Sequence, residues 1–296
     1  MTLVRRSAAL VLVVLLSAIG AAAQSAAPPD LDAVVARVMK TFEVPGLSVA
    51  IVRDGETFTK GYGVRKLGEP APVDARTLFG IASNTKVFTA AALGLLVEEG
   101  KLRWDGRVID ALPWFQMWDP YVTRELTIRD LLVHRSGLGL GAGDLLWWPP
   151  SLYSRKEIAA RLRHIRPAAG FRSAYAYDNV LYLIAGEVIE AVSGQSWEDF
   201  VGSRVLAKVG MTGSSLKHSD AVAGKGNIAA THARVGGMVR PIAPFLSDTT
   251  NAGGGINSSA EDMAKWVRVL LAQGALPGGE RLFSEATWRQ LTTLVT

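Results

Sequence analysis

Ser83 and Lys86 open the stretch of this sequence best suited to chemistry, because they stand three residues apart at the start of an apolar run containing Val87, Ala90, Ala91, Leu95 and Leu96. On a helix, positions i and i+3 share a face, so the hydroxyl and the amine meet. A serine hydroxyl is a weak nucleophile until a base accepts its proton, and a lysine one turn away can take that part when its own charge is suppressed. The free N–H groups and the positive dipole end of a helix N-terminus favour an oxyanion, the charge that develops during acyl transfer. Spacing alone equally suits an N-cap serine followed by a solvated lysine. A second copy, Ser214 to Lys217, lies in a Gly/Ser-rich loop with no apolar helix behind it and is read as coincidence.

A second candidate group is Tyr177-Asp178-Asn179, at the mouth of an apolar run over residues 180–192. A phenol beside a cation ionises more readily and then acts as a base, and a neighbouring amide can orient a substrate carbonyl. Taken by itself, the stretch also reads as a core aromatic followed by a helix cap.

Other chemistries have less support. With no cysteine, the chain has no thiol nucleophile, disulfide or thiolate metal site. His164, His218 and His232 lack metal-ligand spacing, so no metal or cofactor is expected. His134 follows an apolar segment at a Ser-Gly turn and reads as a residue that caps or packs that corner. The glycine-rich residues 137–143 follow a helical pattern instead of a strand and lack Gly-Lys-Ser/Thr, which excludes a phosphate loop. No Gly-x-Ser-x-Gly is present, which argues against an α/β-hydrolase. Trp114, Phe115, Trp118, Trp147 and Trp148 suit either the wall of a substrate cleft or packing over a core.

The elements that must hold these residues follow from periodicity. Asp30 caps a helix with Val34, Val35, Val38, Met39 and Phe42 on one face, stopped by Pro45-Gly46. A hairpin follows: residues 47–52 alternate, Asp54-Gly55 turns, and residues 57–62 return. Helical runs are predicted over 87–98, 128–133, 156–163 and 180–192, then over 260–271 and from Ser284. Residues 236–245 are the best later strand. A two-stranded hairpin is marginal alone and needs a covering layer.

Arg5-Arg6, an apolar run over 8–19 and Ala21-Ala22-Ala23 form a secretory leader, expected to be cleaved after Ala23. The rest, residues 24–296, reads as one exported domain, periplasmic or secreted, with no membrane insertion once the leader is gone. Of the 296 residues 49% are apolar and 20% charged, which excludes disorder, and a net charge of +5, lower without Arg5 and Arg6, is too small and dispersed for a nucleic-acid partner. A monomer with a small-molecule substrate is expected.

Four stretches in order resemble one family: Phe79-Gly-Ile-Ala-Ser83-Asn-Thr-Lys86, residues 126–138 (Leu-Thr-Ile-Arg-Asp-Leu-Leu-Val-His-Arg-Ser-Gly-Leu), Tyr177-Asp-Asn179 and Ala252-Gly-Gly-Gly-Ile256-Asn-Ser-Ser-Ala-Glu-Asp262. The chain is similar to the serine β-lactamase and penicillin-binding group, in the branch of class C β-lactamases, D-alanyl-D-alanine carboxypeptidases and family VIII esterases. The resemblance implies an α/β (α+β) fold in which an antiparallel sheet flanked by helices faces an all-helical half across the active-site cleft. It implies Ser83 as the acylated nucleophile, Lys86 as its proton acceptor or relay, Tyr177 as the base and Asn179 as a substrate-side hydrogen-bond donor. The substrate would be a β-lactam, a D-alanyl peptide or an ester. The family's third motif, Lys or His, then Thr or Ser, then Gly, on a strand that supplies part of the oxyanion hole, is not found after Ala252. The expectation is therefore a C-terminally incomplete copy without several sheet strands, with an unpaired sheet edge and a missing donor, a loss that costs roughly 10²–10³ in turnover. It also leaves open a non-catalytic binding or sensor role.

Overall fold

A computed structural model describes residues 27–224, 226–244 and 247–295; the leader read over residues 1–23 lies outside them. Helix α1 (Leu31–Phe42) begins at Asp30, whose side chain makes no cap bond, and ends at Glu43 in the left-handed region, two residues before Pro45. The hairpin pairs β1 (Gly46–Arg53) with β2 (Glu56–Gly63) in the register set by Asp54-Gly55. Both turn residues have positive φ, 52° and 81°, the conformation that matches strand twist.

Strand β3 (Phe79–Gly80) and a 3-10 turn over Ala82–Asn84 lead into α2 (Thr85–Glu98). Ten of the 14 residues of α2 are buried, among them Phe88, Leu93 and Leu96, so it is a central helix surrounded by protein. Two short helices follow, α3 (Val108–Ala111) and α4 (Pro120–Glu125), the latter capped by Asp119 with Pro120 in its first turn.

The helix expected over residues 128–133 is instead a series of turns. The Asp130 carboxylate accepts from the Thr127 N–H and hydroxyl and from Arg172, and these bonds replace the helical ladder. Burial pushes the Asp130 carboxyl up, but Arg172 and Thr127 outweigh it and hold the group below the usual carboxylate range.

Helix α5 (Arg155–Arg161) starts at a Ser154–Glu157 capping box, and α6 (Val180–Ser193) packs on both α5 and α2. Next come α7 (Trp197–Val201), a π-helical turn over Gly202–Leu206, α8 (Ala207–Val209) and α9 (His218–Ala223). The strand expected over 236–245 is present as β5 (Met238–Pro241), paired with β4 (His232–Val235). Helix α10 (Asn251–Gly254) runs into β6 (Asn257–Ser258), which pairs with β3. Helices α11 (Ala260–Leu271) and α12 (Glu285–Thr292) begin at the caps Ser259 and Ser284.

Among the described residues the strands form three two-stranded antiparallel sheets, with α11 lying on the β1–β2 hairpin. The main apolar core lies elsewhere, where α2, α6 and α7 meet α10. A Cβ on Gly186 would approach that of Ala252 to 2.9 Å, so the glycine lets α10 come close to α6. None of the described helices is long and apolar enough to cross a membrane.

Candidate active site

The β3–β6 pair sets the entry to the site. The Ile81 N–H donates to the Ile256 carbonyl at 3.0 Å, and Ala82 then takes a positive φ of 46° before the chain turns into Ser83. An alanine in that region is strained, the kind of cost that concentrates at functional turns. Ser83 stands exposed just ahead of α2, whereas Lys86, three residues on, is buried.

The Lys86 ammonium donates to Ser83 Oγ at 3.2 Å, to Asn179 Oδ1 at 2.9 Å and to the Gly253 carbonyl at 2.8 Å. Its three protons thus have three acceptors. The Tyr177 and Tyr182 ring centroids each lie 5.1 Å from the same nitrogen, within cation–π range. The Tyr177 hydroxyl donates to Ser83 Oγ at 2.6 Å. Lys86 and Tyr177 therefore meet at the Ser83 hydroxyl, although 94 positions separate Ser83 from Tyr177, and Asn179 joins the group through Lys86.

Gly253 reaches Lys86 because α10 is fastened to the helices around it. Thr89 donates to the Ala252 carbonyl at 2.7 Å and accepts from Trp197 Nε1 at 2.9 Å. Glu198 Oε1 accepts from Arg155 at 2.8 Å and from the Asn251 amide at 2.9 Å, in an ion pair largely shielded from solvent.

Behind Tyr177, His134 and Asp178 form a buried pair. His134 has a positive φ of 57°, its carbonyl accepts from the Ala176 N–H at 2.9 Å, and its ring lies 4.5 Å from that of Tyr177. The Asp178 N–H donates to His134 Nδ1 at 3.2 Å, which requires that nitrogen to be unprotonated. Burial pushes the histidine down to about 4, and burial pushes the Asp178 carboxyl up to about 7.

Asn179 turns its amide nitrogen toward Asp144, 3.3 and 3.1 Å from the two carboxylate oxygens. Asp144 sits in the glycine-rich loop, which is fixed to the Tyr177 segment by the Gly141 N–H donating to the Tyr177 carbonyl at 2.9 Å. Sequence reasoning passed over Asp144 and the Gly253 carbonyl. Only the run of glycines around the first, and Ala-Gly-Gly-Gly around the second, marked their positions.

The remaining sequence candidates fall into structural places. Ser214 Oγ is held by Asp262 and Ser258, and Ser215 Oγ donates to the Lys217 carbonyl, so the second Ser-x-x-Lys is a turn. Phe115 and Trp147 are in the core, while Trp118 and Trp148 are exposed.

The beta-lactamase family profile matches residues 31–294. The chain belongs to that family. Among curated relatives, it is similar to an unguisins hydrolase of Aspergillus violaceofuscus, 29% identical over 255 residues, which cover 82% of this chain and 45% of the relative. The chain spans about half the length of several of the curated relatives it matches. Among solved structures, it is similar to the octameric penicillin-binding protein homologue from Pyrococcus abyssi, with a TM-score of 0.76 and 26% identity over 89% of this chain and 59% of that one. A class C beta-lactamase, 23% identical with a TM-score of 0.72 over 88% of this chain and 67% of its own, shares the fold. The expected β-lactamase-like α/β fold is thus present, with small antiparallel sheets beside a helical bundle.

Proposed function

We propose that residues 24–296 form a serine hydrolase domain that works through an acyl-enzyme on Ser83. The supporting observation is that the Ser83 hydroxyl lies within hydrogen-bond reach of both Tyr177 and Lys86, two groups able to carry its proton. In this reading Tyr177 works as the phenolate beside the Lys86 ammonium: it accepts the proton as Ser83 Oγ attacks the carbonyl, and the proton then passes by way of Lys86 to the leaving group. Asn179 fixes Lys86 through its oxygen and offers its second amide N–H to the substrate. Water, activated by Tyr177, then releases the acyl group.

The substrate is a β-lactam, a D-alanyl peptide or an ester carbonyl, since pocket shape selects among substrates of shared chemistry. The β-lactamase-like reaction is the leading choice and a family VIII-type esterase the alternative. On the leader pattern the domain acts outside the cytoplasm.

The test is to incubate the protein with a penicillin and with a p-nitrophenyl ester and to weigh the intact chain. A covalent adduct that disappears in Ser83→Ala is expected, and Lys86→Ala should abolish acylation. No adduct on a folded sample would favour a non-catalytic binding or sensor module; wild-type acylation in Lys86→Ala would remove that residue from the mechanism.

A further inference from the structure

The end of the glycine-rich loop and the residues after it turn apolar side chains outward. Leu145 is 87% exposed, Trp148 60% and Leu152 fully, although Trp147 between them is buried in the core. Bonds within the segment hold them there: the Trp148 N–H donates to the Asp144 carbonyl at 2.9 Å, and Ser151 Oγ donates to the Leu146 carbonyl at 2.6 Å. Single exposed apolar residues are ordinary. Three of them, presented from residues 145–152 and anchored by a core tryptophan, form a patch that calls for a partner.

Cations flank the patch. Residues 155–172 hold Arg155, Lys156, Arg161, Arg163, Arg166 and Arg172 against one acid, Glu157, so this stretch alone matches the +5 of the whole chain. Arg155 pairs with Glu198 and Arg172 with Asp130, whereas Arg161, Arg163 and Arg166 are in no ion pair among the described residues. Contacts set these three beside the apolar segment. The Arg161 guanidinium lies 3.7 Å from the ring centroid of Tyr153, next to Leu152, and that of Arg166 lies 4.9 Å from the ring centroid of the half-exposed Trp118. The Ala168 N–H donates to the Gly137 carbonyl at 2.8 Å, and a Cβ on Gly143 would stand 3.4 Å from the Ile165 side chain, so the chain that carries Arg163 and Arg166 runs along the loop. The acids nearby are already engaged: Glu157 in its capping box, Asp119 on the Tyr121 N–H and Asp144 with Asn179.

Exposed leucine and tryptophan rimmed by arginine suit the boundary of an anionic bilayer, where apolar tips enter the headgroup region, an indole sits at its level and guanidinium groups meet lipid phosphates. A second copy of the chain fits poorly, since two such faces would set like charges together. We propose that this face, Leu145, Trp148 and Leu152 with Arg161, Arg163 and Arg166, docks the protein on an anionic lipid surface without spanning it. The Gly141–Tyr177 and Asp144–Asn179 contacts tie the same loop to the Ser83 site, so docking brings that site to the bilayer surface. The proposal is independent of the chemistry at Ser83.

The test is cosedimentation of the protein, without residues 1–23 so that the apolar leader cannot anchor it, with vesicles of phosphatidylcholine alone and of phosphatidylcholine with one-third phosphatidylglycerol. Soluble polyphosphate serves as a lipid-free polyanion. The wild type should bind the anionic vesicles at least about tenfold more tightly than the neutral ones, since each basic side chain at such a surface adds roughly fivefold. Arg161→Gln, Arg163→Gln and Arg166→Gln combined should lower that affinity by roughly 100-fold. Leu145→Ser, Trp148→Ser and Leu152→Ser combined should lower it by at least about tenfold and leave any binding of polyphosphate unchanged. Thermal melting checks that both variants are folded, and Arg163→Gln and Trp148→Ser alone give the same comparison on a smaller scale if a triple variant is not. No wild-type preference for anionic vesicles, or an unchanged vesicle affinity in either set of variants, overturns the proposal. Polyphosphate held as tightly as the vesicles, with the serine variants binding like the wild type, overturns it in favour of a soluble anionic polymer.

Discussion

The helical region around α2 and the β1–β2 hairpin are built to different standards. Ten of 14 residues in α2 are buried, whereas no residue of either hairpin strand is. The candidate groups all belong to the first region: Ser83 and Lys86 at the start of α2, Tyr177 and Asn179 at the mouth of α6, and Gly253 on α10. Chemistry that depends on sub-ångström placement is carried by the part of the molecule whose side chains have nowhere else to go. The hairpin, half-exposed on both faces, tolerates more.

Truncating Trp197 should give the largest contrast. It is fully buried and its indole N–H holds Thr89, so Trp197→Ala should cost about 3–5 kcal/mol in urea unfolding. A loss below about 1 kcal/mol would mean that the helical region is no better packed than the hairpin.

Next is the pH response of the buried pair. Asp178, raised to about 7, contributes stability that is complete below about pH 4 and lost as pH rises to 7. His134, lowered to about 4, does the opposite, its contribution rising from pH 4 to about 6.5. The two offset each other, so the melting temperature of the wild type should change little across this range. Asp178→Asn leaves only the histidine, and its stability relative to wild type should climb by up to about 4 kcal/mol between pH 4 and 7. A parallel pair of melting curves would show that Asp178 is ionised in the folded protein throughout.

Glu198→Ala should cost about 3 kcal/mol, because it strands the shielded Arg155 guanidinium and frees Asn251. It should also slow acylation, since α10 carries the carbonyl that holds Lys86. Acylation at the wild-type rate would separate α10 from the site. At the small end, Val49→Ala in the hairpin should cost about 1 kcal/mol or less, as expected of a half-exposed position. A cost matching that of Trp197→Ala would erase the distinction between the regions.

Much of this was legible in local pattern. Asp54-Gly55 specified the hairpin register, and the helical spacing over 260–271 and from Ser284 marked α11 and α12. Ser83 and Lys86 share a face by helical geometry alone. Residues 128–133 misled because their apolar spacing suits a helix, while Asp130 is engaged by Thr127 and by an arginine 42 positions away. Asp144 and the Gly253 carbonyl were invisible for a related reason. A backbone carbonyl carries no residue-type signature, and a lone aspartate among glycines becomes informative only when the fold sets it against Asn179.

The Lys86–Gly253 hydrogen bond joins residues 167 positions apart. Its formation needs a long loop to close, an entropic cost that is met late, after local helices have formed. During refolding, reactivity at Ser83 should therefore lag behind the recovery of helical circular dichroism, and a mechanism-based label would time the last stage of assembly.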